Sequence, residues 1–233
     1  MDRDRDLDTI VTPGLGDASY LLASGDEALV VDPQRDIGRL LAAAERRGVR
    51  VRFVLETHVH NDYLSGAAEF RAATGARIVG PADAGYAFPY DPMDEGAELR
   101  LGELRLVALR TPGHTPEHTS YAIHVGQSEE ALAVFSGGSL IVGSAGRTDL
   151  LGEDRTDELT RAQYRSMRRF AEMPGGTLVL PTHGAGSFCA SGPPQEDRTS
   201  TIDRERASNP ALRVPGEETF VREQLSDLLA FPT

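Results

Sequence analysis

The segment Glu56-Thr57-His58-Val59-His60-Asn61-Asp62-Tyr63 places two imidazoles and a carboxylate directly after the apolar run Val51-Arg52-Phe53-Val54-Leu55. In extended backbone, residues two apart point to the same side, so His58 and His60 can converge on one cation while Asp62 follows on the turn. Imidazole and carboxylate are the usual ligands of Zn²⁺ and of non-haem iron, and the apolar strand supplies rigid support. Two more histidines stand in equivalent places. His114 lies in Thr111-Pro112-Gly113-His114-Thr115-Pro116 after an apolar strand, and His183 lies in Pro181-Thr182-His183-Gly184 after another. Three strand-end loops then present imidazole, the way several strands of a sheet offer ligands at one edge. His118 and His124 read as ordinary residues, and Glu117 as a solvated turn residue.

The elements that must position these loops alternate between strand and helix. Residues 19–23 and 28–32 are apolar runs around the turn signal Ser24-Gly25-Asp26 and predict a hairpin. Residues 37–47 carry apolar side chains at helical spacing (Ile37, Leu40, Leu41, Ala44), stopped by Gly48. A buried strand over 51–55, a helix over 67–74 closed by Gly75 and a strand over 77–80 follow. Residues 98–101 and 104–109 flank Gly102-Glu103 as a second hairpin, with strands over 121–125 and 131–136. Helices are expected over 158–172, 201–209 and 217–229, with a strand over 177–180. No repeat or low-complexity linker interrupts the chain, so residues 1–233 read as one α/β domain of sheets flanked by helices.

Composition narrows the function. The 233 residues carry a net charge of -12 with a pI near 4.9, and every one of the 24 basic residues is arginine. An acidic chain lacks the basic face that phosphate binding needs, so a nucleic-acid partner is not expected. No apolar run approaches the roughly 20 residues that span a bilayer, so no membrane partner is expected either. The charged N-terminus Met1-Asp2-Arg3-Asp4-Arg5-Asp6 lacks the apolar core of a signal peptide, and a cytoplasmic location is expected. Cys189 is the only cysteine, which excludes an internal disulfide and suits a reducing compartment.

Five ordered segments carry a family resemblance: Thr57-His58-Val59-His60-Asn61-Asp62-Tyr63, Thr111-Pro112-Gly113-His114-Thr115, Phe135-Ser136-Gly137-Gly138-Ser139-Leu140, Gly146-Arg147-Thr148-Asp149-Leu150 and Pro181-Thr182-His183-Gly184. Together they resemble the metallo-β-lactamase superfamily, most of all persulfide dioxygenases and their relatives fused to rhodanese domains, with glyoxalase II more distant. Asp32-Pro33 resembles the family's early Asp-Pro turn, and Gly184-Ala185-Gly186-Ser187-Phe188-Cys189 resembles a segment of the rhodanese-fused group. The resemblance implies an αββα sandwich with the metal site at one edge of the two sheets, and His58, His60, His114 and, more weakly, His183 as ligands.

Two departures bear on the chemistry. The family motif His-x-His-x-Asp-His ends in a histidine that helps bind a second metal, and here Tyr63 stands in its place. The family's Thr-Gly-Asp turn supplies an aspartate to the metal, and the aligned triplet is Ser136-Gly137-Gly138. The resemblance then implies one divalent ion, Fe²⁺ or Zn²⁺, with Asp62, His183 or a water in place of the missing carboxylate. Arg147 and Asp149 read as a salt-bridged loop brace or as groups that orient ligands. Cys189 is either an inert buried thiol or a reactive group facing the site. Tyr63 either fills the vacated pocket or donates a hydrogen bond to substrate.

Three functions follow. The first is oxidation of a small thiol persulfide with O₂ to thiol and sulfite, with Asp62, Tyr63 and Cys189 as catalytic candidates. The second is hydrolysis of a thioester or ester of the glyoxalase II type, with Asp62 orienting the attacking water. The third is a catalytically impaired sulfur-handling module acting with a rhodanese domain or protein, Leu228-Leu229-Ala230-Phe231-Pro232-Thr233 lying where such a domain would begin.

Overall fold

A computed structural model describes residues 6–184, 187–191 and 197–226. Strand β2 (Asp17–Ser24) shows how the layers form. Tyr20 and Leu22 on one face enter the core between two sheets, and Leu21 and Ala23 on the other enter a core beneath helices, as the period of two requires. The same division holds in β10 (Ala133–Gly137), where Ala133 and Phe135 face the opposite sheet and Val134 faces helices.

The first sheet has the order β1 (Leu7–Thr12), β2, β3 (Glu27–Val31), β4 (Arg50–Leu55), β5 (Arg77–Pro81) and β6 (Asp91–Met93). It is antiparallel from β1 to β3 and parallel from β3 to β6. Helices α1 (Gly38–Arg47) and α2 (Ala67–Thr74) cover its outer face through Leu40, Ala43, Ala67 and Phe70. In the second sheet, β7 (Glu98–Leu101), β8 (Leu104–Arg110) and β9 (Thr119–Val125) lead to β10. β13 (Leu178–Pro181) and β14 (Ser200–Thr201) complete it, and the small hairpin β11 (Leu140–Ile141) and β12 (Ser144–Ala145) stands apart. α3 (Glu153–Glu172), α4 (Ile202–Ser208), α5 (Pro210–Arg213) and α6 (Glu217–Ser226) pack on its outer face through Met167, Phe170, Ile202, Leu212 and Phe220. The layers are therefore helix, sheet, sheet, helix, the expected αββα sandwich. No helix among the described residues is long and apolar enough to cross a membrane.

The differences from the expected elements lie at edges and ends. β1 is half-exposed and β6 carries Pro92, so neither has the buried apolar signature of a central strand. α3 starts at Glu153, earlier than residue 158, because Glu153 and Asp154 suit a helix N-terminus without adding apolar periodicity. Of the expected helix over 217–229, the part beyond Ser226 lies outside the described residues, as do Ala185 and Gly186 of the segment preceding Cys189 and the six residues from Leu228 to Thr233.

Candidate metal centre

Strand direction brings the histidine loops together. β3 and β4 run parallel, and β8, β10 and β13 share one direction in the second sheet, because β8 and β10 are both antiparallel to β9. The loops after these strands therefore open at one end of each sheet. Side-chain and backbone hydrogen bonds lock the two ends to each other. The Ala18 amide donates to the Thr182 carbonyl (2.7 Å), the Tyr20 hydroxyl to Pro181 O (2.6 Å), the Thr119 amide to Thr57 O (2.9 Å) and the Tyr121 hydroxyl to Glu56 O (3.0 Å).

At this end His58, His114 and His183 are buried, each offering a ring nitrogen within 4.8 Å of the others. Their tautomers follow from their partners. Thr57 Oγ1 donates to Asp32 Oδ2 (2.7 Å), so it must accept from His58 Nδ1 (2.8 Å). His114 Nδ1 donates to the Arg147 carbonyl (2.8 Å), and His183 Nδ1 to Asp17 Oδ1 (2.9 Å). Each ring thus keeps its proton on Nδ1 and turns the Nε2 lone pair inward, with His58 Nε2 and His183 Nε2 3.2 Å apart. Two buried lone pairs at that distance repel unless a proton or a metal ion lies between them. Two nitrogens ~2.0–2.1 Å from one ion are ~3 to 3.5 Å apart, so the spacing fits a shared metal. Burial and the surrounding imidazoles hold His58 well below its ordinary pKa, and burial and His183 bring His114 down to about 3. Neither ring has to lose a proton at neutral pH to bind an ion.

His60 faces two environments. Burial opposes its protonation, but Asp32 and Glu56 outweigh it and push the pKa up to about 10, with Nε2 3.4 Å from Asp32 Oδ1 and 3.5 Å from Glu56 Oε2. The Tyr63 hydroxyl lies 3.0 Å from the same Nε2 and 3.2 Å from the Asp32 carbonyl, with its ring stacked on His60. Tyr63 is thereby committed to His60. The other ring nitrogen, Nδ1, is buried without a hydrogen-bond partner, as are both carboxylate oxygens of Asp62. His60, Asp62 and His183 form a second group with ligand atoms within 4.8 Å, adjoining the first through His183. Buried polar atoms without partners are costly; a cation at this junction would satisfy the Asp62 oxygens, and His60 Nδ1 as well once that ring has released its extra proton. The donor set therefore fits a divalent metal.

Three glycines make the close approach possible. A Cβ on Gly138 would lie 2.3 Å from His114 Cδ2 and 2.9 Å from His183 Cδ2, so the backbone itself packs against the imidazoles. A Cβ on Gly146 would strike the Gly138 carbonyl at 1.9 Å, and Gly137 has φ +55°, in the left-handed region. Gln163 of α3 holds the arrangement from behind: its Oε1 accepts from the His114 amide (2.9 Å) and its Nε2 donates to Ser139 O (2.7 Å). Sequence reasoning missed Gln163, because one glutamine on a helix face has no distinguishing pattern.

The remaining candidates are placed as follows. Arg147 and Asp149 form a two-pronged ion pair (3.0 and 2.7 Å) that braces the loop, with Arg147 buried and its backbone carbonyl accepting from His114 Nδ1. Cys189 is 1% exposed, and its carbonyl accepts from the Arg147 amide (2.8 Å). Burial, then the carboxylates of Asp62 and Asp17, raise its thiol pKa. It stands beside the site as a protonated thiol. Iodoacetamide is expected to label it on the order of a hundredfold more slowly in the native than in the urea-unfolded protein; comparable rates would contradict its burial. Glu117 is not a solvated turn residue: it is 8% exposed and its Oε1 accepts from the Val59 amide (2.8 Å) and Thr115 Oγ1 (2.7 Å). His118 is fully buried against His58 and is no ordinary core residue either, whereas His124 lies on β9 away from the cluster.

An αββα sandwich with histidine loops gathered at one edge of its sheets defines the class. The sequence profile of the metallo-beta-lactamase superfamily matches residues 13–183, and the chain belongs to that family. Members of the family, among them relatives named as hydrolases, are metalloenzymes. Among particular relatives, a hydroxyacylglutathione hydrolase of Cereibacter sphaeroides is 32% identical over 185 residues, covering 76% of this chain and 66% of that protein. The chain thus spans slightly less than two thirds of that relative's length. A metallo-beta-lactamase structure from Staphylococcus aureus superposes with a TM-score of 0.90 at 29% identity, covering 97% of this chain and 68% of that one. ETHE1 from Myxococcus xanthus superposes with a TM-score of 0.82 at 25% identity, covering 97% and 92%.

Proposed function

We propose that the protein is a mononuclear metal-dependent enzyme of sulfur metabolism that oxidises a small thiol persulfide with O₂. The overall change is RSSH + O₂ + H₂O → RSH + SO₃²⁻ + 2H⁺. The observation that carries the reading is the inward convergence of Nε2 from His58, His114 and His183, with Tyr63, at the second-metal position, bonded to His60 and Asp32. Such a set favours one ion over two. The superposition on ETHE1, over 92% of that chain, supports the persulfide reading.

His58, His114 and His183 would hold the ion, with His60 and Asp62 beside it. A bound ferrous ion supplies Lewis acidity and one-electron redox chemistry, which no side chain here offers. The protein's own groups do the rest. Thr57, the Arg147 carbonyl and Asp17 keep the three Nδ1 protons in place, so the imidazoles cannot rotate. Asp62, whose oxygens make no hydrogen bond and whose Oδ2 lies 3.5 Å from His183 Nδ1, is placed to take a proton from water or from an incoming thiol. Burial raises the Tyr63 phenol well above its ordinary pKa, so it stays protonated and serves as a hydrogen-bonding partner of His60.

Protein loaded anaerobically with Fe²⁺ is expected to consume O₂ when given glutathione persulfide and to release sulfite. Stoichiometrically loaded protein without oxygen uptake would overturn the reading. One observation favours hydrolysis instead: the Asp62 oxygens, which make no hydrogen bond, could equally orient a water towards a thioester, as the named relatives suggest. Turnover of a glutathione thioester with Zn²⁺ but not with Fe²⁺ would establish that alternative. A rhodanese domain or protein supplying the persulfide is the partner this chemistry calls for.

A further inference from the structure

The loop after β10 poses a positioning problem. Where the family supplies an aspartate that ties this loop to a metal, the chain has Gly138, so the loop can be held only by the protein. The structure shows the tie. His118 is fully buried, and its Nε2 accepts from the Gly138 amide at 3.0 Å. That role requires the proton on Nδ1, which lies 2.9 Å from Thr111 Oγ1, itself 2.7 Å from Ser120 Oγ. The same ring stacks on His58, with centroids 5.0 Å apart and planes at 27°. A Cβ on Gly137 would lie 2.5 Å from His118 Nε2, so the histidine also occupies the space that a side chain there would need. The preceding residue repeats the device on another loop. Glu117 Oε1 takes the amide of Val59, the residue between His58 and His60.

We propose that His118 and Glu117 are positioning residues of the metal centre: one turn after His114 sets both the Gly138 loop and the His58–His60 loop against it. His118 acts through Gly138 and His58 and touches no reacting atom. Its ring, alongside Gln163 on the Ser139 carbonyl, serves as an anchor of the loop in place of the coordinate bond that an aspartate at Gly138 would have made. The proposal rests on the metal-centre reading above. A buried histidine that merely fills space would tolerate an isosteric apolar ring, whereas a positioning histidine requires an acceptor at Nε2.

The test compares the parent protein with His118→Phe, which keeps the ring but removes the acceptor, and His118→Gln, whose amide oxygen restores one. In metal-free protein the Gly138 amide is expected to exchange with D₂O about tenfold or more faster in His118→Phe and within about threefold of the parent in His118→Gln. With Co²⁺ bound, the visible d–d bands are expected to shift in His118→Phe and in Glu117→Ala but not in His118→Gln. A folded His118→Phe variant with parental amide exchange and a parental Co²⁺ spectrum would overturn the proposal. Should His118→Phe fail to fold, the ¹⁵N shifts of His118 in the parent decide: an unprotonated Nε2 supports the role and a protonated one excludes it. A parent that binds no Co²⁺ would overturn the metal-centre reading instead, while amide exchange would still decide whether His118 holds the loop.

Discussion

Replacing Gly138 by aspartate is expected to weaken metal binding, although it restores the residue type that the family places there. The reason is space. The new Cβ would sit 2.3 Å from His114 Cδ2 and 2.7 Å from its Nε2, and the His114 ring cannot yield, because Nδ1 is bonded to the Arg147 carbonyl and its amide to Gln163. A neighbour at the free end of a flexible chain would move cheaply; an imidazole fixed at two points would not. Overpacking of this kind costs about 1–3 kcal/mol, and disturbing the contacts that orient His114 lowers metal affinity by roughly 10–100-fold. Competitive Zn²⁺ titration against a chromophoric chelator measures the second effect and thermal unfolding of the metal-free protein the first. A Gly138→Asp protein that binds Zn²⁺ as tightly as the parent would show that the loop can retreat and that the histidine packing does not define the site. Gly138→Ala separates the causes, since it brings the same Cβ without the carboxylate.

The largest loss of stability is expected for Asp32→Ala. This carboxylate is fully buried, accepts from the Thr57 amide and hydroxyl (both 2.7 Å) and closely from the Thr182 hydroxyl, and lies beside His60. It therefore joins the end of β3 to the ends of β4 and β13, one strand in each sheet of the pair. Its backbone sits at φ 47°, a left-handed conformation that aspartate and asparagine tolerate better than alanine does. Burial alone would raise its pKa, but His60, Thr182 and Thr57 outweigh that and hold it below the ordinary value, so the network requires the charged form. Alanine would leave the Thr57 amide and the Thr182 hydroxyl short of an acceptor in a dry interior, and His60 with Glu56 as its remaining carboxylate. Breaking a buried charged network costs about 3–5 kcal/mol. Asp32→Asn keeps the shape and one acceptor and should lose markedly less. Urea unfolding of the metal-free variants measures both, and an alanine variant within about 1 kcal/mol of the parent would refute the account.

Much of this architecture is readable from residue order. The strands over 51–55, 104–109 and 177–180 announce themselves by apolar runs, and each is followed by its histidine, so the loops bearing His58, His60, His114 and His183 could be named from the chain alone. The layer order follows from the same runs, because a strand apolar on both faces needs cover on both. The groups that set the site's chemistry were not readable. Asp17, the acceptor that fixes the tautomer of His183, is 166 residues from it, and Gln163 is 49 residues from His114. Glu117 and His118 lie beside a motif residue, yet their value comes from Val59 and Gly138, which a different chain path would have placed elsewhere.

The sequence by itself determined the donor types, the family and the two departures, Tyr63 and Gly138, since these depend only on which side chains exist and in what order. Only the tertiary structure decided which lone pairs meet. The direction of an imidazole is set by the acceptor behind it, and Thr57, Asp17 and the Arg147 carbonyl reach His58, His183 and His114 only once two sheets are docked in register. The same docking turned Gly138 from a missing ligand into the point of contact that lets the imidazoles close together, because the absence of a Cβ has meaning only where another atom occupies its place.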